Sequence, residues 1–124
     1  MLETIHDITT MEEFKTILEN NPGMVMIKFS ASWCSPCKRV EGHVMEWFNK
    51  MPNNIQTIIV DIDNCIDVYG FLKTKKMLVG IPTILMYKKN NKGHVFDDSV
   101  SGSNPTEYDL FFKRCLSLPV LFNV

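Results

Sequence analysis

The chain has few cysteines, almost no net charge and no long hydrophobic run. Four cysteines among 124 residues are too few for a secreted scaffold held together by disulfide bonds. The formal net charge of -1 excludes a strong overall field toward nucleic acid or anionic lipid. With 45% hydrophobic and 22% charged residues, the composition indicates a globular protein rather than a disordered chain or a membrane span. Partners must therefore be recognised locally.

The N-terminus also lacks the marks of a secretory signal. Residues 1–7 carry acids early and have neither a basic n-region nor an apolar h-region, so we expect a cytoplasmic protein in a reducing environment. The chain has no internal repeat, linker or low-complexity segment. Its length suits one domain with one core. We predict a single domain over residues 1–124, with an apolar tail at 119–124 that packs on the body or on a partner.

Hydrophobic periodicity predicts strands that alternate with helices. Nearly continuous apolar runs of strand length indicate interior strands, and apolar residues three and four positions apart indicate helices. Thr10 and Glu13 match a capping box, and Asn104 followed by Pro105 begins the last helix. The order β-α-β-α-β-α-β-β-α favours parallel strands with helices packed on the faces of the sheet. The predicted strands are Thr4 to Ile8, Met24 to Ser30, Ile55 to Ile62, Thr83 to Lys88 and His94 to Val100.

Two thiols lie two residues apart where the second strand meets its helix, in the run Trp33-Cys34-Ser35-Pro36-Cys37-Lys38. A helix that begins near Pro36 places Cys34 at its N-terminus, where free N–H groups and the helix dipole stabilise a thiolate. Proline suits the first helical turn because its missing N–H would have no partner there. Cys37 lies one turn further on, where it can attack a mixed disulfide on Cys34. We therefore predict Cys34 as the nucleophile and Cys37 as the resolving cysteine.

Two structural explanations compete with this redox interpretation. A C-x-x-C can be half of a zinc site, but such a site needs a second pair of ligands at short spacing. The remaining candidates are scattered singly, so we expect no metal. A fixed structural disulfide is the other alternative, and a bridge that closes so short a loop restrains little of the unfolded chain. The scattered candidates are His6, His43, Cys65, His94 and Cys115, of which we expect both cysteines to be free thiols.

The chain resembles the thioredoxins over nearly its whole length. The resemblance rests on residues beyond the two cysteines, in a fixed order. It implies an α/β thioredoxin fold, with a central mixed sheet of about five strands flanked by four helices. It also implies a monomeric protein-disulfide reductase that binds no cofactor, acts on disulfide-containing proteins and takes electrons from an NADPH-dependent thioredoxin reductase. The matching residues are Phe29, Ala31, Trp33, Pro36, Lys38, the run 61–63, the run 80–83 and Gly102.

The resemblance further implies a substrate groove beside the cysteines. The residue that matches Pro82 is a cis proline in that family, and a cis bond would free the backbone of Ile81 to pair with an extended substrate. Gly102 and Ser35 would line the same groove, and Trp33 would be its exposed flat wall. The alternatives are that Pro82 only starts a strand and that Trp33 is an ordinary buried aromatic residue.

One departure from the family concerns a buried charge. Thioredoxins usually carry an aspartate six residues before the first cysteine, which serves the second cysteine in proton transfer; this chain has Lys28 there. The expected partner lysine aligns with Ile59. Lys28 should be at least partly buried, and it can be cationic beside an acid, neutral, or extended to the surface. A cationic Lys28 beneath Cys37 would favour the reduced dithiol and make the protein a stronger oxidant.

Lys28 and Pro36 therefore indicate opposite directions of electron flow. Pro36 between the cysteines is typical of reducing thioredoxins, although Ser35 replaces the usual glycine. We give Pro36 more weight and predict a reductase. A disulfide oxidant or isomerase, and a thioredoxin-like adaptor without turnover, are the alternative functions.

Overall fold

The computed structural model describes residues 1–118, so the predicted tail at 119–124 lies outside the described residues. The observed order of elements agrees with the order predicted from the sequence, with one added 3₁₀ turn at Ile62–Asn64 after the third strand. The strands are β1 Ile5–His6, β2 Met24–Ser30, β3 Ile55–Asp61, β4 Thr83–Lys88 and β5 Asp98–Ser101. The helices are α1 Met11–Glu19, α2 Ser35–Phe48, α3 Ile66–Thr74 and α4 Pro105–Leu116.

The strands form one mixed sheet in the order β1-β3-β2-β4-β5. β3 is parallel to both β1 and β2, whereas β4 is antiparallel to both β2 and β5. β2 is the central strand, and its first six residues are buried, as its apolar sequence predicts for a strand covered on both faces. This mixed five-stranded sheet with four helices matches the fold that the resemblance implies.

The core has two layers because alternate residues of β2 point to opposite faces of the sheet. One face packs against α1 and α3, and the other packs against α2 and α4. Met26 belongs to the second layer. Lys28, two residues further along β2, points to the same face and therefore toward α2. Buried residues of the first layer include Phe14, Ile27, Phe29, Val68 and Leu72, and those of the second include Val40, Val44, Phe48, Phe111 and Phe112.

Helix α1 begins with a cap that differs in one detail from the predicted box. The Thr10 hydroxyl oxygen accepts a hydrogen bond from the N–H of Glu13 at 3.1 Å. The Glu13 carboxylate, however, accepts the hydroxyl of Thr9 at 2.7 Å rather than the backbone N–H of Thr10. The capping still satisfies a free N–H of the first turn, so the predicted helix start is correct.

The last strand is shorter than predicted. The sequence predicted a strand over His94 to Val100, but β5 begins only at Asp98. Asp97 explains the shift, because its carboxylate accepts the N–H of Lys88 at 2.7 Å and its own N–H donates to the Met86 carbonyl at 2.8 Å. These bonds close the loop after β4, and regular pairing begins at the next residue.

Candidate active site

The two cysteines lie at the junction between β2 and α2. β2 ends at Ser30 and α2 begins at Ser35, with Cys34 as its N-cap residue. Cys34 and Cys37 form a disulfide with their Cα atoms 5.2 Å apart. The Cys34 Sγ accepts a hydrogen bond from the backbone N–H of Cys37 at 3.2 Å. The sulfur therefore takes the capping role that an oxygen has in most helices, and the same N–H can stabilise a thiolate there.

The loop before β4 lies against the disulfide, because the start of β4 pairs with the end of β2 that leads to the cysteines. The Ile81–Pro82 peptide bond is cis, as the resemblance implies, and it lies immediately before β4. Ile81 packs against the cluster that contains both cysteines. Gly102, which follows β5 with φ +95°, donates its N–H to the Pro82 carbonyl at 3.1 Å. The structure therefore brings the predicted groove residues Ile81, Pro82 and Gly102 together.

Trp33 is exposed beside the motif, which excludes the buried alternative. Its residue is 64% exposed, and its indole Nε1 donates to the Asp63 carboxylate at 2.9 Å. The Asp63 N–H in turn donates to the Asp61 side chain at 2.9 Å. Sequence reasoning missed the role of Asp63 in orienting the indole; the only signal was its place in the short acidic run after β3. Ser35 and Pro36 are exposed at the same edge.

Lys28 is buried on the second-layer face of the sheet and is only 3% exposed. It lines a cleft of about 400 Å³ together with Cys37, Glu41 and Asp61. Burial lowers the pKa of the Lys28 ammonium, and the nearby negative charge of Glu41 acts in the opposite direction. Glu41 is the acid that the sequence could not identify. Its signal was its position four residues after Cys37, which places both side chains on one helix face.

Cys65 and Cys115 are free thiols, and both are fully buried. The Cys65 Sγ donates to the Asp61 carbonyl at 3.0 Å. Burial raises the pKa of Cys65 to about 11 and that of Cys115 to about 12. Both therefore stay protonated at neutral pH and are poor nucleophiles. Within residues 1–118, no group of three or more histidine, cysteine or acidic side chains is arranged to hold a metal ion, and no helix is long and apolar enough to cross a membrane.

Comparison with known proteins decides which family this geometry belongs to. The sequence model of the thioredoxin family matches residues 6–108, which includes the cysteine pair and the cis-proline loop. The chain belongs to the thioredoxin family. The resemblance drawn from the sequence is therefore confirmed, together with the fold.

Thioredoxins from several organisms are similar in sequence to this chain. It is 31% identical to the thioredoxin of Ophiophagus hannah over 92% of this chain and 98% of the relative. It is 32% identical to that of Oryctolagus cuniculus over 90% and 99%. A third relative, thioredoxin-2 of Pyricularia oryzae, is 33% identical over 82% of this chain, and the match spans only 54% of that longer protein.

Solved structures support the fold. Thioredoxin from Trypanosoma brucei brucei superposes with a TM-score of 0.72 at 21% identity, covering 92% of each chain. Oxidised mitochondrial thioredoxin 3 from Saccharomyces cerevisiae gives a TM-score of 0.69 at 24% identity, covering 89% of this chain and 94% of its own. Family membership and the Cys34–Cys37 disulfide identify this thioredoxin as a thiol-disulfide oxidoreductase with protein-disulfide reductase activity.

Proposed function

We propose that Cys34 attacks the substrate disulfide and that Cys37 resolves the resulting mixed disulfide. The observation that carries this assignment is the position of the Cys34 Sγ at the N-terminus of α2, where the N–H of Cys37 donates to it at 3.2 Å. The helix dipole and this donor favour negative charge on Cys34 rather than on Cys37. Pro36, the second residue of α2, leaves one N–H fewer to satisfy in that turn.

The reaction then proceeds in two exchanges. The Cys34 thiolate bonds to one sulfur of the substrate disulfide, and the other substrate sulfur leaves as a thiolate and takes up a proton. Cys37 loses its proton to water and attacks the Cys34 Sγ; the bond between Cys34 and the substrate breaks, and the second substrate thiolate leaves and is protonated. Two electrons pass to the substrate, and this thioredoxin ends in the disulfide form seen here.

The substrate strand lies in the groove beside the disulfide. Ile81 supplies backbone N–H and C=O groups for pairing, as in other modes of strand addition. Pro82 and Gly102 line the same groove and are joined by the hydrogen bond from the Gly102 N–H to the Pro82 carbonyl at 3.1 Å. Trp33, 64% exposed, and the exposed Ser35 contact the substrate next to the reacting sulfur. Exposed large aromatic residues are typical of contact surfaces.

Lys28 affects the reduction potential of the Cys34/Cys37 couple. It shares a cleft with Cys37, and a cation there stabilises a thiolate and so the reduced dithiol. This effect opposes the reducing character associated with Pro36, and it is the observation that favours the oxidant or isomerase as a second candidate function. Reduction of the substrate remains the proposed direction because Pro36 lies between the cysteines, and because burial lowers the pKa of the Lys28 ammonium and so disfavours its positive charge.

The proposal also includes the source of electrons and the cellular compartment. A monomeric protein works in the cytoplasm, where an NADPH-dependent thioredoxin reductase returns Cys34 and Cys37 to the dithiol after each turnover. A reducing compartment fits two further cysteines that remain free thiols. Incubation of the oxidised protein with NADPH and a purified thioredoxin reductase tests the electron source; absence of NADPH consumption would contradict it.

The reduction of insulin in the presence of dithiothreitol tests the function. The wild type should precipitate the insulin B chain much faster than dithiothreitol alone. Cys34→Ser should reduce the rate to that of dithiothreitol, while Cys115→Ala, which removes a thiol that lies outside the groove, should retain the rate. A Cys34→Ser variant with the wild-type rate would contradict the proposal.

A further inference from the structure

The hydroxyl of Tyr108 lies where the two loops of the proposed groove meet. Tyr108 is in α4 and is fully buried. Its hydroxyl donates to the Gly102 carbonyl at 2.7 Å and lies 3.4 Å from the Pro82 carbonyl oxygen. The Pro82 carbonyl also accepts the N–H of Gly102 at 3.1 Å. One buried oxygen therefore connects the turn after β5 with the loop before β4.

We propose that Tyr108 is a positioning residue for protein substrates: its hydroxyl holds the Gly102 turn against the Pro82 loop, so that the groove is formed before a substrate strand arrives. This inference rests on the proposed function, in which these two loops bind the substrate backbone. Tyr108 belongs to the core layer under α2 and α4 and is not among the residues packed on the disulfide. It therefore acts through the groove and not on the reacting sulfurs.

Two local features explain why the hydrogen bond between Tyr108 and Gly102 holds the turn in place. Gly102 has a φ of +95°, a conformation that glycine adopts readily but that nothing in its own side chain can fix. Burial raises the pKa of Tyr108, so the hydroxyl remains a donor throughout the pH range of thiol exchange. Without this donor, the Gly102 carbonyl must find water, and the exposed turn gains freedom. A substrate strand must then order the turn when it binds, which weakens binding.

The chain contains a matched control for this claim. Tyr87 is also fully buried, and its hydroxyl also donates to a backbone carbonyl, that of His94, at 2.7 Å. That bond lies in the loop after β4 and away from the cysteines. Tyr87→Phe and Tyr108→Phe each remove one oxygen and one hydrogen bond and leave the ring in place, so their general costs to folding are comparable.

Kinetics with a protein disulfide and with a small disulfide distinguish an effect on substrate binding in the groove from an effect on the thiol-disulfide exchange itself. With insulin as the substrate, Tyr108→Phe should raise KM about three- to tenfold, the equivalent of one lost hydrogen bond, and leave kcat within about twofold. Its rate with 5,5′-dithiobis(2-nitrobenzoate), which is too small to fill the groove, should match the wild type. Tyr87→Phe should change none of these values.

Amide hydrogen exchange gives a readout that does not depend on turnover. The Gly102 N–H should exchange faster in Tyr108→Phe than in the wild type. Its exchange rate in Tyr87→Phe should equal that of the wild type. The measurements are made at a low temperature at which all three proteins are folded. The inference would be overturned if Tyr108→Phe left the insulin KM or the Gly102 exchange rate unchanged. It would also be overturned if Tyr87→Phe raised the insulin KM equally, or if Tyr108→Phe lost as much activity with the small disulfide as with insulin. If the wild type itself reduces neither disulfide, the proposed function fails and this inference fails with it.

Discussion

Lys28 of β2 lies in register with Ile59 of β3, so the residue beside it on that strand is apolar rather than charged. On the other side it lies in register with Ile84 of β4. The carboxylate that faces it, Glu41, comes instead from α2, one helical turn after Cys37. The cleft beneath the resolving cysteine is therefore lined by a basic side chain from β2 and an acidic one from α2, together with Asp61 at the end of β3.

Removal of the cation should make the couple more reducing. In Lys28→Met, the thiolate loses a stabilising charge, so the reduced dithiol is less favoured. We expect the reduction potential to become more negative by on the order of 30 mV, which corresponds to about 1.4 kcal/mol for a two-electron couple. Equilibration with glutathione buffers measures it. Lys50→Gln, an exposed change two residues beyond the end of α2, should leave the potential unchanged. An unchanged or more positive potential in Lys28→Met would contradict this role.

The two cysteines should differ in the mixed disulfides they trap. In Cys37→Ser, Cys34 can still attack a substrate but nothing resolves the product, so a covalent complex with insulin should accumulate. In Cys34→Ser, the remaining Cys37 is not at the N-cap position of α2 that favours a thiolate, so it should trap little. Non-reducing electrophoresis with mass spectrometry measures the amount of covalent complex that each variant forms. Equal trapping by the two variants would show that the attacking role is not specific to Cys34.

The buried thiols should make the protein less stable at alkaline pH. Burial raises the pKa of Cys65 from 9.0 to about 11, so the unfolded thiol ionises at a lower pH than the folded one. Its contribution to the free energy of unfolding is fully present below pH 9 and is lost as the pH rises toward 11. Two pKa units correspond to at most about 3 kcal/mol.

Urea unfolding of the oxidised protein between neutral and alkaline pH tests this dependence, because Cys34 and Cys37 do not titrate while they are bonded. Stability should fall less steeply above pH 9 in Cys65→Ala than in the wild type. Iodoacetamide gives an independent check. In the folded oxidised protein at neutral pH, neither Cys65 nor Cys115 should be alkylated, and both should react once urea unfolds the chain. Parallel slopes in the wild type and the variant would contradict the assignment.

A polar cluster that joins α2 to α4 should weaken in acid. The Asp109 carboxylate accepts the indole N–H of Trp47 at 2.7 Å and lies 2.6 Å from His43 Nε2. Both hydrogen bonds lower the pKa of Asp109, and the bond from Trp47 has the larger effect. The stability they add is therefore present above the unfolded pKa of about 4 and is lost as the pH falls through the lower folded value.

Asp109→Asn removes the titrating group and is the matching variant. Its melting temperature should be lower than that of the wild type at neutral pH. The difference should shrink as the pH falls from about 4 toward the lower folded pKa of Asp109, below which the wild-type carboxylate is also neutral. Thermal unfolding followed by circular dichroism measures both. Glu46→Gln, an exposed change on α2, should show no such convergence. A constant difference at all pH values would contradict the proposed acid dependence.

The sequence predicted those features that depend on short spacing and periodic pattern. Two cysteines separated by two residues, followed by a proline-started helix, defined the reactive turn without reference to the rest of the molecule. Strand β2 was recognised because it is apolar at nearly every position. Pro82 was assigned to the cysteines through the family resemblance, and the structure has its peptide bond cis beside them.

The remaining features depend on how the elements pack, which no local pattern encodes. Glu41 looks like an ordinary solvated helix residue until α2 is placed over Lys28. Tyr108 fits the apolar stripe of α4, and only the packed structure shows where its hydroxyl points. The late start of β5 arises from Asp97, whose carboxylate competes with strand pairing for the N–H of Lys88. Side chains that replace backbone partners are the common cause of such differences.

The reduction potential of the Cys34/Cys37 couple tests the central claim most directly. Equilibration of the purified protein with glutathione buffers of known ratio, followed by alkylation and mass spectrometry, gives the fraction in the disulfide form. A protein-disulfide reductase of this family should have a potential close to the thioredoxin value of about -270 mV, raised by on the order of 30 mV by Lys28. A potential at or above about -180 mV, as in disulfide isomerases and oxidants, would contradict the proposed direction of electron flow.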